Sequence, residues 1–183
     1  ASRVFLFGAR DIWFVVGIPI FFYDKLSWSF TEVGSFMASW IIFYGIIQSL
    51  APKLLKIFYG NNFSENEQAF FWSIKLLLII TCLGILSYTY DYNGYLICMG
   101  LFLFGFIFAI NSSIHSYLIL ALAKKNDVTL DVGFYYMANA MGRLLGCIIS
   151  GFSYQIAGLI GCFIFAGIFL FFCSIFSFYL KSY

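Results

Sequence analysis

Charge is what this sequence has least of. Lys, Arg, Asp and Glu make up 10% of its 183 residues, hydrophobic residues make up 63%, and the mean hydropathy is +0.96. A soluble domain carries about 25% charged residues, so a water-facing globular fold is excluded. No basic run interleaved with aromatics is present, which excludes a nucleic-acid surface. The five cysteines, Cys82, Cys98, Cys147, Cys162 and Cys173, form no Cys-x-x-Cys pair and sit in apolar stretches, where they read as small buried hydrophobes. The single histidine, His115, cannot make a metal site alone. There is no P-loop, no His-Glu-x-x-His, no serine motif with a plausible base and no paired carboxylates. Nucleotide-driven transport, hydrolysis and cofactor chemistry therefore have no support in this chain. No short apolar stretch ahead of a small-residue cleavage site marks a signal peptide.

What is present is apolar sequence in lengths that suit a membrane. A helix needs roughly 20 apolar residues to cross a ~30 Å hydrocarbon core, and six such stretches occur, near residues 4–23, 33–51, 70–88, 95–123, 132–154 and 159–180. The expectation is an all-α, polytopic membrane bundle of six transmembrane helices forming one domain over residues 1–183. The loop at 52–68 carries Lys53 and Lys56, the loop at 124–131 carries Lys124 and Lys125, and the ends carry Arg3 and Lys181, against Lys25 alone on the other side. The positive-inside rule then puts both ends and those loops in the cytoplasm, with the turns around Asp24, Asp91 and Ala157 outside.

Polar residues inside these stretches are the candidates for function, because an ionisable group at membrane depth is costly and faces protein or a watery path. In the fifth stretch Tyr136, Asn139, Arg143, Gly146 and Ser150 recur at steps of three or four and share a helix face. Arg143 lies about 16 Å along that stretch, near the midplane. Its planar fork suits an anionic substrate group, and a tie to helix-end carbonyls or a carboxylate is the structural alternative. Ala138, Gly142 and Gly146 form a small-xxx-small ridge for close helix approach. In the first stretch Arg10 and Asp11 point about 100° apart and can serve different partners, and Arg10 is close enough to the end to snorkel. In the fourth stretch Asn111 and His115 are one turn apart, beside Ser112 and Ser116. His115 and Asp11 are candidates for proton coupling, His115 because imidazole titrates near pH 6.5, with a hydrogen-bonded structural histidine as the alternative. Gln48 and Thr81 read as helix-to-helix glue, and Lys75 as a snorkelling residue.

The runs Ser2-Arg-Val-Phe-Leu-Phe-Gly-Ala-Arg-Asp-Ile-Trp-Phe-Val-Val-Gly-Ile-Pro19 and Gly133-Phe-Tyr-Tyr-Met-Ala-Asn-Ala-Met-Gly-Arg-Leu-Leu-Gly146, with Trp28-Ser-Phe-Thr-Glu-Val-Gly34 and Tyr44-Gly-Ile-Ile-Gln-Ser-Leu-Ala-Pro52, resemble organoarsenical efflux permeases of the major facilitator superfamily, the ArsJ type. The resemblance runs the whole length and covers the carboxyl-terminal six-helix half of such a transporter. It implies export across the inner membrane of 1-arseno-3-phosphoglycerate, the unstable ester formed when glyceraldehyde-3-phosphate dehydrogenase uses arsenate, and hence arsenate resistance. It implies an amino-terminal six-helix half as partner, besides lipid and the anionic substrate, and a functional link to that dehydrogenase. Substrate-binding candidates are then Arg143, Arg10, Asn139, Tyr136 and Asp11. Pro52-Lys-Leu-Leu-Lys56 departs from the charged Gly/Asp/Arg loop motif of the superfamily. The chain begins Ala-Ser-Arg rather than with Met and is expected to be a fragment of a longer polypeptide. The alternatives are a major facilitator exporter of another small solute and a non-transporting membrane assembly subunit or remnant.

Overall fold

The computed structural model of the chain describes residues 1–59, 65–89, 93–122 and 128–180. They are almost wholly helical: α1 (Ser2–Ile12), a π-helical turn (Trp13–Gly17), α2 (Ile18–Leu26), α3 (Phe30–Tyr59), α4 (Glu65–Thr89), α5 (Gly94–Leu122) and α6 (Val128–Leu180). Among the described residues, five helices are long and apolar enough to cross a membrane: Ser2–Leu26, Phe30–Tyr59, Glu67–Thr89, Gly94–Ile119 and Thr129–Tyr179. Lys124, Lys125, Lys181 and Asp91, used above to orient the chain, lie outside the described residues.

The last of these helices is not straight. Its 51 residues would extend ~77 Å at 1.5 Å per residue, more than twice the hydrocarbon core. Its backbone leaves the helical region at Ala157 (φ −143°, ψ 23°) and at Gly158 (φ 59°, ψ −147°), a left-handed φ that glycine tolerates. Beyond the break the Cys162 thiol donates to the Ser150 carbonyl at 3.8 Å, and the Ser153 hydroxyl donates to Cys162 Sγ at 3.3 Å. Twelve residues of straight helix would separate Ser150 and Cys162 by ~18 Å, so the chain doubles back at the turn expected near Ala157.

Local signals set the other boundaries. Ser29 and Glu32 form a capping box at the start of α3: Glu32 Oε2 accepts from the Ser29 amide at 2.7 Å while Ser29 Oγ accepts from the Glu32 amide at 3.3 Å. Asn93 Oδ1 accepts from the amides of Tyr95 and Leu96 to start α5. The expected end of the second stretch at residue 51 is corrected: α3 runs through Pro52 to Tyr59, and residues 52–59 are not loop. Proline removes one intrahelical bond, but Ala51 and Leu55 on either side are packed with Ala69, Trp72, Ile110, Ile114 and Leu118 in a small core of their own. That burial holds the helix together across the proline.

The main core gathers on α1, α5 and the second part of α6. Trp13, Trp40, Phe104 and Phe108 form its aromatic centre, with Trp13 at 5.2 Å from Phe104 and 5.6 Å from Trp40, edge to face. Trp40 Nε1 donates to the Leu101 carbonyl at 2.8 Å. By contrast α3 and the first part of α6 leave wide apolar faces uncovered, including Ile41, Ile42, Ile46, Met137, Met141 and Ile148. All five cysteines are free; Cys162 and Cys173 are buried, but Cys82 is exposed and Cys98 and Cys147 are half-buried, so the expectation of uniformly buried cysteines is corrected. Thr81 returns its hydroxyl to the Leu77 carbonyl of its own helix at 2.8 Å, and Lys75 Nζ lies 4.0 Å from the Trp72 ring centroid.

Candidate functional site

Small residues bring α1 against the first part of α6. A Cβ on Gly142 would collide with the Val4 carbonyl oxygen, and one on Gly146 would lie 2.7 Å from the Gly8 carbonyl oxygen and 2.8 Å from Asp11 Cβ. The ridge read from the sequence is therefore a backbone-to-backbone crossing, and its partner is α1. Two more features lock it. Val16 and Gly17, in the π turn, both donate their amides to Ser150 Oγ at 3.3 Å. The turn itself follows from Pro19, which has no amide for the carbonyl four residues earlier.

This crossing sets Asp11 opposite Arg143. Asp11 Oδ1 accepts from Arg10 Nε at 2.7 Å and Asp11 Oδ2 accepts from Arg143 Nε at 3.2 Å. The carboxylate is 1% exposed, Arg10 is 12% exposed and Arg143 is 60% exposed. The expectation that Arg10 and Asp11 serve different partners is corrected. Their Cβ atoms diverge by about 100°, but the flexible arginine stem brings the guanidinium back to the neighbouring carboxylate. Nor does Arg10 snorkel: its guanidinium carbon lies 5.2 Å from the Phe7 ring centroid and 5.5 Å from that of Phe108, inside the bundle. One carboxylate thus holds two arginines, and the three groups together carry a net charge of +1 when all are ionised. Arg143 lies roughly 22 Å from the start of α6 at 1.5 Å per residue, about halfway along the part before the break.

The other candidates sit around this centre unequally. Tyr136 is exposed, on the same side of α6 as Arg143. Asn139 is half-buried, and its Oδ1 is buried without a hydrogen-bond partner among the described residues. Gly146 from the same predicted face is buried against α1 and Ser150 against the π turn, so that face straddles the edge of the helix contact. His115 is not part of the arginine–aspartate cluster. It lines a cavity of about 380 Å³ with Arg3, Asp131 and Tyr135, at the end of the bundle where α1 and α6 begin. Its Nε2 is buried without a partner among the described residues.

Arg3 is the residue that sequence reasoning undervalued. Counted above as a charge at the chain's cytoplasmic end, it is buried: Nη1 donates to the Ser112 carbonyl at 2.9 Å and to Ser116 Oγ at 3.4 Å. Its guanidinium carbon lies 4.4 Å from the Phe7 centroid and 4.1 Å from the Tyr135 centroid. Phe7 therefore has Arg3 within 4.4 Å and Arg10 within 5.2 Å of its centroid, attracted by the ring quadrupole. The signal was the stripe Arg3, Phe7, Arg10 at steps of three and four. Asn111, one turn before His115, donates to Ser73 Oγ at 3.1 Å and ties α5 to α4.

A bundle of apolar helices with ionised groups paired inside it is the architecture of a polytopic membrane protein. Comparison with known families agrees. The family model of the Major Facilitator Superfamily matches residues 3–182, and the chain belongs to that family. No curated relative and no solved structure matches the chain.

Proposed function

We propose that the chain is the carboxyl-terminal, six-helix half of a secondary exporter for an anionic organoarsenical, 1-arseno-3-phosphoglycerate, and that it confers arsenate resistance together with an amino-terminal half. The observation that carries the anion reading is Arg143. An arginine costs at least ~2.5–3.5 kcal/mol at the bilayer centre, yet in this chain it is 60% exposed with a single hydrogen-bond partner among the described residues. Halfway along its helix, on the part of α6 that a partner half would face, the fork is available to an oxyanion held between the two halves.

The six-crossing count follows if the hairpin at Ala157 and Gly158 is a turn between two crossings. That even count puts both ends on one face of the inner membrane, and Lys53 and Lys56 favour the cytoplasm. In the superfamily two such halves rock about a site at their interface, and the uncovered faces of α3 and of the first part of α6 suit a partner half. Arg10 and Arg143 would hold the substrate oxyanions, Asp11 would position both arginines, and Asn139 and Tyr136 would contact the substrate from α6. His115, beside Arg3 and away from this cluster, is the second candidate for proton coupling. The arsenical identity rests on the resemblance of the runs around Arg10 and Arg143, and the link to glyceraldehyde-3-phosphate dehydrogenase follows from it.

Arsenate survival of sensitive cells is the test. This chain would be expressed with and without a matching amino-terminal half, dehydrogenase co-expressed and membrane levels checked. Resistance with both halves and not with one supports the reading. Equal sensitivity throughout, with normal insertion, refutes the arsenical function and leaves another small solute, or a non-transporting remnant, as the reading.

A further inference from the structure

We infer that the cavity around Arg3 is a second oxyanion site, which holds a phosphate group at the end of the bundle where α1 and α6 begin. It is separate from the Arg10–Asp11–Arg143 cluster, and it rests on the anion reading of that cluster only for the order in which an anion meets the two.

Arg3 is tied down on one edge and unused on the other. Its Nη1 donates to the Ser112 carbonyl at 2.9 Å and to Ser116 Oγ at 3.4 Å, and Ser116 Oγ is bonded in turn to the Tyr135 hydroxyl at 2.6 Å. The rings of Phe7 and Tyr135, 4.4 and 4.1 Å from the guanidinium carbon, hold the plane of the group. Nε is buried without a hydrogen-bond partner, and no described residue accepts from Nη2. Nε and Nη2 are the side-on edge of the fork, two parallel donors that a phosphate takes up together. Tying α1 to α5 uses Nη1 alone and does not account for that edge.

Two neighbours on α5 repeat the pattern. Ser112, whose carbonyl holds Arg3, has its hydroxyl buried without a partner, and so does Nε2 of His115, which is 5% exposed and lines the same cavity as Arg3. A buried polar atom without a partner has given up its water for nothing, and three of them beside one cavity of about 380 Å³ call for a polar occupant. The space is many times what one water needs. Asp131 lines the cavity too, and its carboxylate disfavours a doubly charged oxyanion against a singly charged one. Arg3 and Asp131 are at most two residues from the starts of their spans, and His115 is four from the end of its own. The cavity therefore lies within ~6 Å of the span ends, in reach of phosphate from water or from the lipid headgroups. Arg10 is seven residues, ~10 Å, further along α1, with Phe7 between the two guanidinia, so an anion entering from this end meets Arg3 first.

The test counts phosphate bound to the chain together with a matching amino-terminal half, in detergent without added lipid, by equilibrium dialysis against radiolabelled inorganic phosphate. Arg143→Ala, which removes the deeper anion site, should keep one saturable phosphate site. Adding Arg3→Gln should weaken that site on the order of ten- to a hundredfold, the worth of hydrogen bonds to a charged group, and Arg3→Lys should recover little of it because an ammonium lacks the side-on edge. Asp131→Asn provides a second reading that does not depend on how well the Arg3 variants fold: it should tighten binding roughly three- to tenfold by removing a like charge. No saturable site in Arg143→Ala, a site that Arg3→Gln leaves intact, or binding that Asp131→Asn fails to tighten overturns the inference and spares the anion reading of Arg143. A wild type with one site, lost in Arg3→Gln and kept in Arg143→Ala, supports the inference and tells against that reading. A second arm adds short-chain phosphatidylglycerol. Displacement of the bound phosphate identifies a lipid headgroup as the source, no displacement identifies a soluble phosphate, and both support the site.

Discussion

Removing Arg10 and removing Arg143 should differ sharply in their cost to stability. Both guanidinia bind the same carboxylate, but Arg10 and Asp11 are 12% and 1% exposed whereas Arg143 is 60% exposed. Deleting Arg10 leaves the buried carboxylate held by the exposed Arg143 alone, and loss of the buried partner of an ion pair costs about 3–5 kcal/mol. Deleting an exposed partner costs ~0–1 kcal/mol. At roughly 2–4 °C per kcal/mol for a chain of this size, Arg10→Ala should lower the unfolding midpoint by roughly 6–20 °C and Arg143→Ala by less than about 4 °C. Asp11→Ala should resemble Arg10→Ala. The double variant Arg10→Ala/Asp11→Ala should be less destabilised than the sum of the singles, because no orphaned buried charge remains. The assay is thermal unfolding in detergent, read by fluorescence-detected size exclusion, alongside arsenate survival in cells carrying both halves. Arg143→Ala should be stable and inactive. Equal destabilisation by Arg143→Ala and Arg10→Ala would refute the reasoning and make Arg143 a structural tie.

Four further outcomes follow from the same geometry. Arg143→Lys should restore little resistance, since an ammonium cannot offer the paired donors of the fork, and full rescue in the survival assay would count against bidentate binding. Gly146→Val should separate α1 from α6 and abolish survival at normal expression, because its added carbons fall on the Gly8 carbonyl and Asp11 Cβ; wild-type survival would contradict the crossing. Ser150→Ala removes the acceptor shared by the Val16 and Gly17 amides and should cost about 1–3 kcal/mol in the unfolding assay. Cysteines introduced at Ser27 and Lys56 should label from opposite sides of the membrane with an impermeant maleimide, Ser27→Cys from outside, and labelling from one side would refute the orientation.

Much of the fold could be read from residue types alone. Apolar length gave the helices, and the turn at Ala157 was visible as small residues between two long apolar runs. The ridge at Gly142 and Gly146 was visible because close approach of backbones needs glycine. What failed to show were matters of reach and of partners. Adjacent residues such as Arg10 and Asp11 diverge at Cβ, so periodicity separates them, yet a long flexible stem reunites them. Pro52 read as a stop because its local effect is unfavourable, but the burial of Ala51 and Leu55 outweighs it. Arg3 read as an end charge because position along the sequence says nothing about aromatic rings brought from α6. The π turn was hidden for a similar reason, since its freed amides are satisfied by Ser150, more than a hundred residues away.

The central claim is that Arg143 carries an anionic arsenical across the membrane. Inverted membrane vesicles containing both halves should be supplied with glyceraldehyde-3-phosphate dehydrogenase, its substrate, its nicotinamide cofactor and arsenate, and assayed for arsenic trapped inside. Wild type should accumulate arsenic only when the dehydrogenase is active, and Arg143→Ala at equal membrane level should fall to background. Accumulation by Arg143→Ala equal to wild type, or none by either, would contradict it.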